Sequence, residues 1–278
     1  MSITFKNVNY SFNAGTSIST TGLKNININL SDNHFYAVVG QTGSGKSTFM
    51  QQINGLLKPT SGTITVGESV IKHSTKEKEL HDLRGKVSLV FQFPEDQLFE
   101  ETVLDDVAFG PKNYRKEAPE DLAMKWLKRV GLEEYAEHSP FELSGGQMRL
   151  VAIAGILAIE PDVLLLDEPA AGLDPAARHK MMQLFKAYQA SGHTVIMVTH
   201  NLDEVAEYAD QVIVFDQGEL IKNCTPKEFF SDYNWLKKHH LGFSHVADFS
   251  EKLGFLDNPL TMDELVDQVI KAGDQDDE

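Results

Sequence analysis

The sequence predicts an α/β fold: a buried, mostly parallel sheet flanked by helices, an antiparallel β layer, an inserted helical subdomain and a small helical appendage at the C-terminal end. Three observations carry this prediction. Residues 35–39, 163–166 and 194–199 are continuous apolar runs, as expected of parallel strands covered on both faces. Helical patterns alternate with them. The first thirty residues and residues 62–66 instead alternate apolar and polar side chains, as in Ile26, Asn27, Ile28, Asn29 and Leu30, which suits a half-exposed antiparallel sheet.

Each element has a local reason. A helix is expected over residues 46–54. Another spans residues 119–130, opening on Pro119 and ending before Gly131, and a third opens on Asp174 as N-cap with Pro175 in its first turn. Between residues 85 and 160 only residues 87–91 read as a buried strand, so a helical subdomain is placed at about 93–160. After Phe215 and a turn at Gly218, residues 223–278 carry short helices with two capping boxes, Thr225 with Glu228 and Thr261 with Glu264. Tyr233, Trp235, Phe243, Phe249 and Phe255 suggest a small packed unit there, as plain core or as a dimerisation surface. The acidic tail 273–278 is expected to be disordered. The main domain is thus residues 1–222.

Composition narrows the function classes. With 41% hydrophobic and 24% charged residues, the chain has ordinary globular make-up. The longest uncharged apolar stretch, residues 151–159, would span only about 14 Å as a helix, against about 30 Å for a bilayer core. No secretory signal is recognisable at the N-terminus, so an intracellular location is expected. The net charge of −16 disfavours nucleic acid and anionic lipid as direct partners. Cys224 is the only cysteine, which excludes an internal disulfide, and it is read as an inert thiol.

The chemistry concentrates in three segments. Gly40, Gln41, Thr42, Gly43, Ser44, Gly45, Lys46 and Ser47 follow an apolar strand and precede a helix that continues through Thr48, the context a Walker A phosphate-binding loop requires. Glycines let backbone N–H groups face a β-phosphate, Lys46 reaches the β- and γ-phosphates, and Ser47 offers a hydroxyl to Mg²⁺. Residues 163–166 deliver Asp167 and Glu168 to the end of a buried strand, expected beside the strand that delivers the phosphate loop. Asp167 suits the shell of Mg²⁺ and Glu168 suits activation of the water that attacks the γ-phosphate. Leu143, Ser144, Gly145, Gly146 and Gln147 open a further helix, where a hydroxyl and N–H groups can meet a γ-phosphate.

That pentapeptide resembles the ABC signature. The remaining motifs of that family stand in order: Gln92 after a strand, Asp174 after Gly172 and Leu173, and His200 after residues 194–199. The resemblance covers about residues 3–222 and identifies the chain as similar to P-loop NTPases of the ABC ATPase type, with a RecA-like parallel core. It implies a head-to-tail dimer in which Ser144 and Gly146 of one subunit close over ATP held by the other. It further implies that Gln92 contacts Mg²⁺ and the attacking water and couples to the membrane domain, that His200 contacts the γ-phosphate, and that Asp174 lies at the dimer interface. Adenine would stack on an aromatic residue near the N-terminus, Phe12 first and Tyr10 second.

Residues 92–110 closely resemble energy-coupling-factor and cobalt-type importers, and Met148, Arg149 and residues 167–175 resemble the second ATPase of group II complexes. Ala170 stands where threonine is usual, and Glu168 is retained. The resemblance implies ATP hydrolysis, a sister ATPase as heterodimer partner, a membrane T component docked near residues 92–99, and S components that select vitamins or metals. Glu95 and Asp96 are read as an acidic rim and Leu98 and Phe99 as an apolar floor for an arginine-bearing amphipathic helix. A DNA-repair or ribosome-associated ABC ATPase is disfavoured, because the chain has no coiled-coil insert, second cassette, basic patch or zinc-ligand cluster. Retention of Glu168 and His200 argues against a binding module with vestigial hydrolysis. An exporter ATPase shares the catalytic motifs and is set aside only through the resemblance.

Overall fold

The computed structural model describes residues 1–254 and 259–276. Two sheets pack face to face around the first long helix. The outer one is antiparallel, in the order β2-β1-β4-β5, from β1 (Ile3–Phe12), β2 (Thr20–Leu30), β4 (Ser61–Val66) and β5 (Ser69–Ile71). Its inward positions, Ile3, Phe5, Val8, Ile26, Leu30, Ile64 and Val66, are buried and produce the alternation seen in the sequence.

The central sheet contains β3 (Phe35–Gly40), β6 (Val87–Val90), β7 (Val163–Asp167), β8 (Thr194–Val198), β9 (Gln211–Asp216) and β10 (Glu219–Cys224), in the order β10-β9-β3-β8-β7-β6. All are parallel except β10, which returns antiparallel to β9. One expectation is corrected here: β7 does not lie beside β3. β8 separates them, with Val38 and Asp167 both registered on Val198. The three strands therefore end together, and their ends define the floor of one site.

Helix α1 (Lys46–Ile53) lies between the sheets, where Phe49, Met50 and Ile53 are fully buried. After the short α2 (His81–Lys86), β6 leads into the helical subdomain of α3 (Val103–Asn113), α4 (Pro119–Val130) and α5 (Gly145–Ala158). Trp126, Leu127, Val103, Val107, Ile153 and Leu157 form its core, joined to the underside of the sheet. α4 ends at Gly131 in the left-handed conformation, as its sequence predicts. Helix α6 (Pro175–Ala190) opens on Asp174, whose carboxylate accepts from the Ala176 and Ala177 N–H groups. Helix α7 (Leu202–Tyr208) follows β8.

The appendage comprises α8 (Pro226–Phe230), α9 (Tyr233–Lys238), α10 (His245–Leu253) and α11 (Met262–Asp276). The first capping box forms as expected at Thr225 and Glu228. The second is shifted: Thr261 accepts from the Glu264 N–H, but the Glu264 carboxylate reaches back to the Leu260 N–H instead of that of Thr261. Tyr233 stacks on Phe243 with ring centroids 3.9 Å apart, while Phe249 is exposed and Phe255 lies outside the described residues. α11 continues through Asp276 and so takes in residues 273–276 of the acidic tail; residues 277 and 278 of that tail lie outside the described residues. Among the described residues, no helix is long and apolar enough to cross a membrane.

Candidate nucleotide and hydrolysis site

The phosphate loop is held from three sides before any ligand is considered. Gly40 has φ 146°, and a Cβ there would stand 2.2 Å from the Phe215 carbonyl; Gly45 has φ 107°, and a Cβ would stand 2.8 Å from the Gly22 carbonyl. Both positions thus need glycine for conformation and for space. The Ser44 N–H donates to the Gln41 carbonyl, and the Gly218 N–H donates to the Ser44 carbonyl, so the β9–β10 turn braces the loop. The Ser44 hydroxyl is buried with no hydrogen-bond partner.

Lys46 is only 6% exposed, and its ammonium donates to the carbonyls of Gly40 and Gln41 at 2.8 Å each. Burial lowers its pKa, against the pull of Glu168 and Asp167. Burial likewise pushes the Asp167 carboxyl above the usual carboxylate range, opposed by the Ser47 hydroxyl, while the adjacent Glu168 charge pushes it further up. A lysine and two carboxylates therefore face one another at the strand ends, with Ser47 alongside.

Glu168 has φ 50°, a left-handed conformation that costs a non-glycine residue about 1–3 kcal/mol. Its N–H donates to the Val198 carbonyl, which fixes the turn. The turned side chain meets His200, with Nε2 to Oε1 at 3.0 Å. His200 follows Thr199, whose hydroxyl donates to the buried Glu204 carboxylate at 2.6 Å. Glu204, which Arg178 approaches to 3.8 Å, thus ties down the residue before His200; neither carries a role in the sequence reading.

A cavity of about 290 Å³ opens beside the loop between Gly40, Gln41, Thr42 and His200 on one side and His240, Leu241 and Gly242 on the other. The appendage thus reaches the phosphate loop, and the Gln41 amide donates to the His239 carbonyl at 3.4 Å. No motif in residues 239–242 announces this contact.

Phe12 is 41% exposed, whereas Tyr10 is half-buried against the core; the two rings meet edge to face at 4.9 Å. The exposed face belongs to Phe12. Thr48 is buried in the first turn of α1.

Ser144 caps α5 in a full capping box: its hydroxyl accepts from the Gln147 N–H and the Gln147 side chain accepts from the Ser144 N–H. A Cβ on Gly145 or Gly146 would meet nothing within 4 Å, so this helix end faces open space. Gln92 and Phe93 are exposed, and Phe93 has φ 58°.

The acidic rim is not free as expected. Glu95 is paired with Arg149, and although burial opposes its ionisation, the Arg149 hydrogen bonds outweigh that and hold its carboxyl below the usual range. Leu98 is buried in the subdomain core; the exposed apolar floor is Phe99 with Phe109, stacked edge to face.

Residues 23–171 match the family model for the ABC transporter. The chain is 56% identical over 275 residues to the energy-coupling factor transporter ATP-binding protein EcfA2 of Lactobacillus acidophilus, covering 97% of this chain and 96% of that protein. It is 50% identical to the protein of the same name from Enterococcus faecalis, covering 98% and 97%. Among solved structures, cbiO1 of Clostridium perfringens, part of the ABC transporter complex cbiONQ, superposes with TM-score 0.74 at 37% identity over 90% of this chain and 98% of that one. A dimeric ATP-binding cassette in a post-hydrolysis state, bound to ADP and Pi, superposes with TM-score 0.73 at 32% identity over 81% and 98%. With the phosphate loop, the Asp167–Glu168 pair and His200 assembled at adjoining strand ends, these likenesses mean that the chain belongs to the ABC transporter family, among its energy-coupling factor ATP-binding proteins.

Proposed function

We propose that this chain binds and hydrolyses ATP as one of two ATPases on the cytoplasmic face of an energy-coupling-factor importer, energising uptake of a vitamin or another micronutrient through a T component and exchangeable S components. The observation that carries the reading is the convergence of Lys46, Asp167, Glu168 and His200 at the ends of three adjoining strands, with Glu168 and His200 3.0 Å apart.

The loop residues 40–48 cradle the phosphates, and Lys46 exchanges its two carbonyl partners for phosphate oxygens. Phe12 offers its exposed ring to adenine, with Tyr10 bracing its edge. Ser47, Asp167 and Gln92 are the residues that would hold Mg²⁺. Among the described residues no cluster of three or more His, Cys, Asp or Glu side chains is poised for a metal. A cation here would therefore take its other ligands from phosphate and water, the usual manner for Mg²⁺. The raised Asp167 carboxyl and the unpartnered Ser44 hydroxyl suit a site designed to meet added charge. When bound, Mg²⁺ neutralises charge on the β- and γ-phosphates.

Glu168 accepts a proton from the attacking water, and His200 orients Glu168 and meets the γ-phosphate. Ser144, Gly145, Gly146 and Gln147 act on the ATP of the sister ATPase, and Asp174 stands at the interface between the two. The exposed apolar stripe Met262, Val266, Val269 and Ile270 on α11, with Phe249 and Leu253 on α10, supports a dimerisation role for the appendage.

The T component docks where a groove of about 370 Å³ runs between Phe99, Asp106, Phe109, Asn113 and Ile156. Asp96 is exposed beside it and would pair with an arginine on the docking helix. The test is Glu168→Gln in the assembled complex. ATP should still bind while turnover falls by about 10²–10⁴-fold; near-normal hydrolysis would remove Glu168 from the chemistry.

A further inference from the structure

Arg149 is 5% exposed, near the N-terminal end of a helix that is otherwise almost wholly apolar, and each nitrogen of its guanidinium donates a hydrogen bond. Nε and Nη2 donate side by side to the two oxygens of Glu95, at 2.9 and 2.7 Å, and Nη1 donates to the Ala171 carbonyl at 2.6 Å. Its carbon also lies 5.8 Å from the centre of the Phe93 ring. These partners come from three separate pieces of the site. Glu95 lies three residues beyond Gln92, in the segment that borders the docking groove. Ala171 lies in the loop between Glu168 and Asp174. Arg149 itself rides on α5, whose N-terminal end is Ser144.

A planar fork with three charge-assisted bonds fixes relative orientation far better than a single ammonium contact. Removal of either partner leaves a buried charge without compensation. None of the three segments can shift appreciably against the others while this arrangement holds.

We propose that Arg149 is a positioning residue that locks the Gln92 segment, the signature helix and the Glu168–Asp174 loop into one unit, so that movement at the docking groove reaches the hydrolytic residues. The proposal rests on the functional reading above for the roles of those three segments. It gives Arg149 no contact with ATP, so its loss should slow the chemical cycle without loosening nucleotide.

The test measures ATP turnover against ATP concentration in the assembled complex for wild type, Arg149→Lys, Glu95→Gln and the double variant, with a thermal melt of each. Lysine keeps the charge but loses the fork, and glutamine keeps the shape but loses the charge. Each single variant should lower kcat by about tenfold, with KM for ATP within about twofold of wild type, and the double variant should be no slower than the worse single one. Losses that multiply, a rise in KM at unchanged kcat, or unchanged kinetics would overturn the assignment. A merely structural role would lower the melting temperature and leave the kcat of the remaining folded protein intact, which also overturns it. Should Arg149→Lys fail to fold, Glu95→Gln carries the test through its own kcat and KM. A wild-type complex without any ATP turnover would instead break the functional reading itself.

Discussion

The phosphate loop and the signature loop both place glycines and a hydroxyl at the start of a helix, yet they are built in opposite ways. The phosphate loop is enclosed by its own chain: Gly40 is pressed against Phe215, Gly45 against Gly22, and Lys46 is buried among backbone carbonyls and carboxylates. The signature loop is locally complete, since Ser144 and Gln147 cap each other, but Gly145 and Gly146 face open space. One loop is preorganised by its own chain. The other is a capped helix start that opens outward, which the proposed function assigns to ATP held by a second ATPase. On the proposed function, such a chain would own parts of two sites and the whole of neither.

Substitutions on the two loops should therefore separate binding from turnover. Lys46→Ala would delete the proposed charge-assisted contacts to phosphate and should weaken ATP binding by the isolated chain by about 10- to 100-fold, measured by calorimetry. Unchanged affinity would remove Lys46 from the phosphate site.

The glycines sharpen the contrast through stability. Gly40→Ala meets a carbonyl in a disfavoured backbone conformation and should cost about 3 kcal/mol or more in denaturant unfolding. Gly145→Ala sits at a helix start with free space and should be neutral or stabilising by about 0.5–1 kcal/mol. If the signature loop closes over ATP held by a second ATPase, as proposed, the variant should nevertheless slow the assembled complex. Equal costs at the two positions would mean that the loops are not built differently.

A smaller effect comes from charge. The folded, ATP-free chain holds the Asp167 proton more tightly than the unfolded chain does. Stability from this group is therefore present below the ordinary aspartate range and is lost as pH rises through the raised folded value. Asp167→Asn should stabilise the ATP-free chain at neutral pH by on the order of 1 kcal/mol, a typical point-mutation effect. It should also flatten the acid side of the stability profile and weaken binding of Mg²⁺ with ATP. A destabilised variant would show that Asp167 is held by its partners more than it is burdened by burial.

What could be read from the sequence follows the same division. Elements whose reasons are local were legible: the glycine-ended α4, the Asp174 cap, the buried parallel strands, and the loop from Gly40 to Ser47. Features set by distant pairings were not. Glu95 looks like a free acidic rim until Arg149, 54 residues away, is seen to take both of its oxygens. Leu98 looks like surface floor because nothing local says that it turns into the subdomain core. β8 intervenes between β3 and β7 although nothing in either strand requires it. The contact of residues 239–242 with the phosphate loop has no motif behind it. Arg149 did leave a signal: a lone cation entering an almost wholly apolar helix requires a buried acid somewhere else in the chain.

The most direct test of the proposed division of the site between chains is Ser144→Glu, scored twice: for ATP affinity in the isolated chain and for turnover in the assembled complex. A division between chains predicts affinity within about twofold of wild type and turnover reduced by about tenfold or more, because the new carboxylate repels the γ-phosphate held by the partner. Loss of affinity in the isolated chain, or undiminished turnover in the complex, would contradict it.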